Sequence, residues 1–335
     1  MRYPTRMTTA IGMTAAALAL LGGCHDPYSN ALFEEDALFL AAIPDAARVT
    51  TRGPGADQGR DDPCDGENWA LFPIWTWQTS ADLNEMIFSL LYAVEYVAAQ
   101  PIAERLDRER VWGPVATGDG SAVELRMTRT TDDEGVDRFD YAMTWFDDGA
   151  DPSTGTVPFL GTFEAGTVPR EGVGTFSFDF GLYHQVAPAE GSLDGGQILV
   201  EHDNSDGQVL LWIDVVAVTG AGIDEPASAR YAFFLDPVDG GGWFEYVWEG
   251  DLEGSATSAE ERYETRVRWL ADGSGRADAL LSGGDLEPWD IELLVTECWD
   301  ACLQLGYYAE IGEEENSIGD PASCVFDDSS LPSHL

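Results

Sequence analysis

The sequence contains no lysine, and basic residues of any kind are scarce. Its 335 residues include 17 arginines and four histidines against 61 aspartates and glutamates, which gives a formal net charge of −44 at pH 7. Proteins that bind nucleic acids neutralise phosphates with lysine and arginine, so this charge excludes DNA and RNA as partners. It also excludes attachment to anionic lipid headgroups through a basic patch, and any membrane contact must have another origin.

The chain also has little that resembles a membrane-spanning segment. Residues 7–21 form an uncharged, mainly apolar run that follows Arg2 and Arg6. This run is shorter than the roughly 20 residues that a transmembrane helix needs. It ends in small residues instead of a cationic flank, so the pattern predicts a cleaved secretory signal.

The end of this run, Leu21-Gly22-Gly23-Cys24, resembles the bacterial lipobox. In a lipobox, diacylglycerol is attached to the cysteine sulfur, and cleavage leaves that cysteine as the mature N-terminus. We therefore predict that residues 1–23 are a signal peptide and that Cys24 is lipidated, which anchors the chain to a membrane. The alternative is an ordinary secretory signal with an incidental cysteine. Because the residue after the cysteine is His25 and not Asp, the outer membrane is favoured, facing either the periplasm or the cell surface.

Cysteines are few, and four remain after Cys24: Cys64, Cys298, Cys302 and Cys324. An even number of cysteines in an exported chain predicts two disulfides. We favour Cys298 with Cys324 and Cys64 with Cys302, because an extended segment would hold Cys298 and Cys302 about 13 Å apart. A four-cysteine zinc site is the alternative, although the usual Cys-x-x-Cys pairs are missing.

Catalytic signatures are missing as well. His184 and His202 lie in neither a Gly-x-Ser-x-Gly nor a His-Glu-x-x-His pattern, and we interpret them as ordinary strand residues. The acidic clusters at residues 147–151 and 203–206 sit beside glycines, so turn formation explains them, with weak calcium binding as the alternative. We expect no catalytic residues, no metal site and no cofactor.

Beyond residue 108, aromatic and apolar residues alternate with polar ones. The clearest examples are Phe139, Tyr141, Met143 and Trp145; Phe176, Phe178 and Phe180; Phe244, Tyr246 and Trp248; and Tyr263, Thr265, Val267 and Trp269. Alternation is typical of antiparallel strands with one buried face, and Asp-Gly pairs between them suit tight hairpins. We predict a mainly β fold, a meander of about 11–13 strands over residues 109–309. Closing into a barrel or half-barrel would hide its edges.

One long helix precedes this region. Apolar residues recur at steps of three and four, which predicts a helix over residues 80–100 with Thr79 or Asp82 as its cap. The repeating residues are Leu83, Met86, Ile87, Leu90, Leu91, Val94, Val97 and Ala98.

The opposite face of this helix carries Phe88, Tyr92 and Tyr96. A helix that is apolar nearly all round is expected to be buried. A dozen strands would leave a hollow that side chains alone cannot fill. We therefore expect the helix to lie in or across the concave face of the sheet.

The chain divides into four predicted regions. After the signal peptide, residues 24–63 form a lipidated tether, a short helix over residues 31–43 and a linker rich in glycine and proline, in which we expect low order. Residues 64–326 form the β-barrel-like domain with its helix. Residues 327–335 form a C-terminal tail.

Several segments carry a resemblance to other proteins. The lipobox, "PIWTWQTS", "GTFSFDF", "LLSGGDL", "TECWDA" and "GDPASC" are similar to segments of a group of uncharacterised, lysine-poor, acidic predicted lipoproteins from GC-rich Gram-negative bacteria. This resemblance covers most of residues 60–326 and implies an envelope location. It implies no activity, because the group supplies no catalytic residues. In architecture alone, a helix against an incomplete barrel looks like the carriers that move lipoproteins or lipids across the periplasm.

Three functional hypotheses follow. The first is a noncatalytic, lipid-anchored, monomeric envelope protein whose barrel is packed solid and whose protein partner the sequence does not identify. The second is a carrier or binder of an apolar ligand, with hinges at residues 101–108 and before residue 64. Its cavity would be lined by Phe88, Tyr92, Tyr96, Phe178 and Trp248. The third is an envelope hydrolase.

Overall fold

The fold is one antiparallel meander in which fifteen strands pair in sequence order. In this computed structural model, the described residues are 29–46, 49–54, 68–118, 120–188, 193–220, 223–236, 238–250, 260–284, 293–310, 316–327, 331 and 333–335. The strands are β1 (Ile102–Leu106), β2 (Glu109–Ala116), β3 (Ser121–Thr131), β4 (Asp137–Asp147), β5 (Thr156–Ala165), β6 (Gly172–Asp179), β7 (Leu193–Asp203), β8 (Val209–Gly220), β9 (Ile223–Leu235), β10 (Gly242–Gly250), β11 (Glu261–Trp269), β12 (Gly275–Gly283), β13 (Leu293–Trp299), β14 (Leu305–Glu310) and β15 (Ile318–Gly319). The helices are α1 (Ser29–Ala41), α2 (Leu71–Ala98) and α3 (Phe180–Val186).

The sheet does not close. Within the described residues, β1 and β15 are its two edges and do not pair with each other. The prediction of a mainly β meander in a half-barrel is therefore confirmed. The thirteen strands β2 to β14 lie within residues 109–310, and the two additional strands are short edge strands.

Alternation along the strands builds the core. On β4, for example, Phe139, Tyr141, Met143 and Trp145 are all buried, because residues two apart point to the same face. All five of the predicted Asp-Gly turns place their glycine at positive φ, where a side chain would be strained. These glycines are Gly120, Gly149, Gly207, Gly240 and Gly273.

Helix α2 packs against the apolar face of the sheet. It contacts β2 and β3 on one side and β11 on the other, so it crosses this face as predicted. The face that meets the sheet consists of Leu83, Ile87, Leu91 and Val94, each at most 4% exposed. In the described part of the chain, none of the helices has the length and apolar character of a membrane-spanning segment.

The helix begins nine residues before its predicted start. Pro73 lies in its first turn, where proline costs no backbone hydrogen bond. The predicted caps, Thr79 and Asp82, lie inside the helix, so that prediction is wrong. The backbone amides of Leu71 and Phe72 instead donate to Glu297 on β13. This glutamate lies more than 200 residues further along the chain, so no local sequence pattern could indicate it.

The prediction that the helix is buried all round is also wrong. Phe88, Tyr92 and Tyr96 lie on its outer face and are 52%, 51% and 50% exposed. Their rings follow one another at 6.0 and 6.5 Å between centroids. The outer face is open because the sheet covers only the inner side of the helix.

Helix α1 is attached to the edge of the sheet by a buried cation. The Arg110 side chain on β2 is 1% exposed, with its Nε 2.6 Å from Asp36 Oδ1 and a second nitrogen 2.8 Å from Glu35 Oε2. Its guanidinium also lies 4.9 Å from the centre of the Phe39 ring. Ion pairing and cation–π attraction together hold the helix in place.

Part of the predicted linker is packed against the protein. Val49 is fully buried and Thr51 is 2% exposed. The Thr51 amide donates to Asn84 Oδ1 at 2.7 Å, and Asn84 Nδ2 donates back to the Thr51 carbonyl at 2.8 Å. The expectation of low order is therefore wrong for residues 49–54, while residues 55–63 lie outside the described residues.

A second local difference concerns Phe180. The aromatic alternation predicted a strand through this residue, but β6 ends at Asp179 and Phe180 begins α3. The change occurs because the Asp179 carboxylate accepts a hydrogen bond from the Leu182 amide at 2.8 Å, as a helix cap does.

We expect Leu91→Ala to lower the free energy of unfolding by about 2–5 kcal/mol, because the leucine is fully enclosed between helix and sheet. The neighbouring substitution Tyr92→Ala, on the outer face, should cost less than about 1 kcal/mol. Chemical denaturation midpoints of the two variants provide the measurement. Equal losses would contradict the orientation of the helix.

Candidate functional site

A cleft of about 770 Å³ lies between α2 and strands β8 to β11. It falls within the range of roughly 300–1,000 Å³ that is typical of small-molecule sites. The helix contributes Trp75, Gln78, Thr79, Asp82, Leu83 and Met86, and the strands contribute Val215, Tyr231, Tyr246, Trp248 and Tyr263. The cleft is thus lined mainly by aromatic and apolar side chains, with a few polar groups from the helix.

The sheet side of the cleft is aromatic because of strand register. Trp248 on β10 lies opposite Tyr263 on β11, and Tyr246 lies opposite Tyr231 on β9. Residues two apart on a strand share a face, so all four rings point to the same side of the sheet. The centroids of Tyr246, Trp248 and Tyr263 lie 6.0 to 6.4 Å from one another, and the ring planes are tilted by 46° to 55°.

Two tyrosines of this wall, Tyr231 and Tyr246, remain neutral because their pKa values are raised. Burial raises the pKa of Tyr231, and the nearby negative charge of Asp82 raises it further. Burial also raises the pKa of Tyr246. The Tyr231 hydroxyl accepts a hydrogen bond from Trp248 Nε1 at 3.0 Å, which fixes the orientation of the indole ring.

The residues on the helix side of the cleft recur at steps of three and four, as expected for one face of a helix. Trp75, Thr79, Asp82 and Met86 are separated by four, three and four residues, so they form one stripe along α2. Trp75 is 43% exposed and Trp248 is 39% exposed, so the two indoles lie where the cleft meets solvent. A ligand would therefore contact aromatic rings on both sides.

The start of α2 is fixed by Glu297 on β13. Its carboxylate accepts from the Leu71 amide at 3.0 Å and from the Phe72 amide at 2.7 Å. Burial raises the pKa of Glu297, and the two amide hydrogen bonds act in the opposite direction. The negative charge faces the positive end of the helix dipole, which is a favourable arrangement.

Of the five residues predicted to line a cavity, one lies in the cleft. Trp248 lines it, whereas Phe178 is 6% exposed and packs in the core against Phe180 and Tyr183. The remaining three residues lie on the outer face of α2 and do not line this cleft: Phe88, Tyr92 and Tyr96.

Sequence reasoning missed the helical half of the site. Trp75 and Thr79 belong to "PIWTWQTS", which we had placed before the helix, so the stripe they form was not apparent. Tyr231 could have been found from the alternation of Ala229, Tyr231 and Phe233. Its position opposite Tyr246 required the strand register.

The Cys298–Cys324 disulfide is present as predicted, with 5.2 Å between the two Cα atoms. Because both sulfurs are bonded, the zinc alternative is wrong for these two cysteines. Cys302 is also disulfide-bonded. Cys64 and the lipidation candidate Cys24 lie outside the described residues, so the Cys64–Cys302 pairing stays a prediction.

The two histidines do not line the cleft. His202 on β7 is 1% exposed and lies beside Phe163 and Phe176, with centroids 6.0 and 6.4 Å away. Burial lowers the pKa of His202 to about 4, so the ring is neutral at physiological pH. His184 lies on α3, so its prediction as a strand residue is wrong.

Metal-ligating side chains are scattered. Among the residues that the structure describes, no three or more His, Cys, Asp or Glu side chains are grouped so that they could hold a metal ion.

Comparisons of the chain with known protein families, curated proteins and solved structures found no match. Functional inference therefore rests on the sequence and on the geometry of the cleft.

Proposed function

We propose that this chain is a lipid-anchored, noncatalytic protein of the bacterial cell envelope that binds an apolar small molecule in the cleft between α2 and β8–β11. The observation that carries the proposal is the cleft itself: about 770 Å³ with aromatic side chains on both walls. Burying aromatic and apolar surface against a ligand is the main source of affinity in such sites.

The cleft argues against a solidly packed barrel. Leu83, Ile87, Leu91 and Val94 fill the space between α2 and the sheet along one side of the helix. On the side that faces β8–β11, the lining residues Met86, Val215 and Trp248 retain open volume between them. The helix therefore fills only part of the concave face, and the remaining space suits a ligand.

The proposal includes no catalytic step. Of the described residues that line the cleft, Asp82 is the one carboxylate, and none is a histidine, cysteine or serine. Nucleophilic catalysis commonly uses a serine or cysteine activated by a histidine, and the described lining residues supply none of these three.

Ligand entry does not need the helix to swing aside. Glu297 holds the start of α2, and Glu95 near its end forms an ion pair of 2.6 Å with Arg170. The predicted hinge at residues 101–108 contains β1, which pairs with β2. The partly exposed Trp75 and Trp248 mark an entrance at the open side of the cleft.

The envelope location is supported by the N-terminal sequence, with Cys24 as the anchor. The Cys298–Cys324 disulfide is consistent with it, because stable disulfides form in oxidising compartments such as the periplasm. An acidic body with a net charge near −44 would be repelled by anionic headgroups, so the lipid would act as a tether.

A substitution that fills the cleft should abolish ligand binding. We expect residues 25–335 to bind the neutral dye N-phenyl-1-naphthylamine, and Thr79→Trp to weaken this binding by at least tenfold, or about 1.4 kcal/mol. Ser89→Trp, on the exposed face of the same helix, should bind as the unsubstituted protein does. Fluorescence titration provides the measurement. No dye binding by the unsubstituted protein, or equal binding by both variants, would refute the proposal.

The anchor is tested separately. In a Gram-negative host, metabolic labelling with a fatty acid should mark the full chain, and Cys24→Ser should lose the label and remain unprocessed. Release of the unsubstituted protein as a soluble periplasmic species that begins at residue 25 or later would rule out the lipid anchor.

A further inference from the structure

Among the described residues that line the cleft, one carries a formal charge, and it is negative. Asp82 is the one carboxylate among the eleven described residues that line it, and none of these residues is basic. Elsewhere arginines pair with carboxylates, either across strands, as Arg262 does with Glu249 at 2.7 Å, or along one strand, as Arg276 does with Asp278 at 3.0 Å. Across the described part of the chain, Asp82 has no arginine within ion-pair distance.

The surroundings of this carboxylate are aromatic. Five rings line the cleft: Trp75, Tyr231, Tyr246, Trp248 and Tyr263. The face of an aromatic ring carries partial negative charge, and tryptophan attracts cations most strongly. Asp82 lines the same cleft as these rings.

We propose that the ligand is an organic cation of the quaternary ammonium class, whose alkyl groups contact the rings of Trp75 and Trp248 and whose charge faces Asp82. This inference rests on the proposed function, because it specifies the ligand of the same cleft. Aromatic side chains combined with one carboxylate satisfy such a cation without any hydrogen bond to its nitrogen.

Other ligand classes fit the cleft less well. A metal ion would need several oxygen ligands, and the lining offers one carboxylate. A sugar would need partners for most of its hydroxyls, and the described lining consists mainly of aromatic and apolar surface, with polar groups from Gln78, Thr79 and Asp82 on the helix and tyrosine hydroxyls on the sheet. The Tyr231 hydroxyl already accepts from Trp248. An anionic lipid would meet the like charge of Asp82, and none of the described lining residues is an arginine that could compensate it.

The net charge of the whole protein also favours a cationic ligand. A formal net charge of −44 raises the local concentration of cations around the protein and lowers that of anions. This long-range attraction does not select one cation over another. Selection for an apolar cation would come from the aromatic walls, which an inorganic ion cannot use.

The test compares two molecules of nearly the same shape. Choline carries a quaternary nitrogen, and 3,3-dimethylbutan-1-ol carries a carbon in its place. In calorimetric titrations of residues 25–335, choline should bind at least tenfold more tightly than the alcohol. Asp82→Asn should reduce this ratio to less than threefold.

The control variant is Glu85→Gln. Glu85 is an exposed glutamate one turn further along α2, and it does not line the cleft. Glu85→Gln therefore changes the net charge by the same amount as Asp82→Asn. It should leave the choline preference unchanged. All three proteins should bind the neutral dye equally well, since the dye does not use the charge of Asp82.

The outcomes separate this inference from the proposed function. If the dye binds but choline does not bind, or binds no better than the alcohol, the cation inference is overturned and the apolar cleft stands. An unchanged choline preference in Asp82→Asn, or an equal loss in Glu85→Gln, overturns the role of Asp82. If the dye does not bind, the proposed function fails and this inference fails with it.

Discussion

The hydrogen bonds from the first amides of α2 to Glu297 determine the rest of the arrangement. They connect a helix near the start of the domain to the thirteenth strand of the sheet, with 2.7 Å between the Phe72 nitrogen and the carboxylate. An open sheet of fifteen strands has a large apolar face and no opposite wall to cover it. The helix covers part of that face, and the position of Glu297 decides which part. The space left beside β8–β11 is the cleft.

The open sheet explains two further features. Because none of the described strands passes over the outer face of α2, Phe88, Tyr92 and Tyr96 are half exposed, although the same aromatic content would be buried in a closed barrel. The cleft is open to solvent for the same reason, with Trp75 and Trp248 at its rim. Aromatic rings at a solvent boundary, together with the Asp82 carboxylate, are the features on which the proposed binding of apolar and cationic ligands rests.

Much of the fold could be predicted from the sequence, because it depends on local patterns. Alternation such as that of Phe244, Tyr246 and Trp248 predicted the strands, and the Asp-Gly pairs predicted turns between neighbours in the chain. A meander pairs only neighbours, so its order follows directly. The disulfide between Cys298 and Cys324 was likewise predictable from spacing. The start of α2 was not predictable from the sequence, because its first amides are bound by Glu297 on the distant strand β13. Little of the site was predicted. Among the described residues that line the cleft, Trp248 is the one that the sequence analysis had assigned to a cavity, whereas Trp75 required knowledge of where the helix begins.

Amide hydrogen exchange on a Glu297→Met variant tests the central claim most directly, namely that Glu297 fixes α2 across the open sheet. Methionine keeps the volume of the side chain and removes both acceptor oxygens. The account predicts at least tenfold faster exchange in the first four turns of α2, with no change in β3 and β4. Glu249→Met, at an exposed position of β10, should leave α2 unchanged. Unaltered protection of residues 71–86 in Glu297→Met would contradict the account.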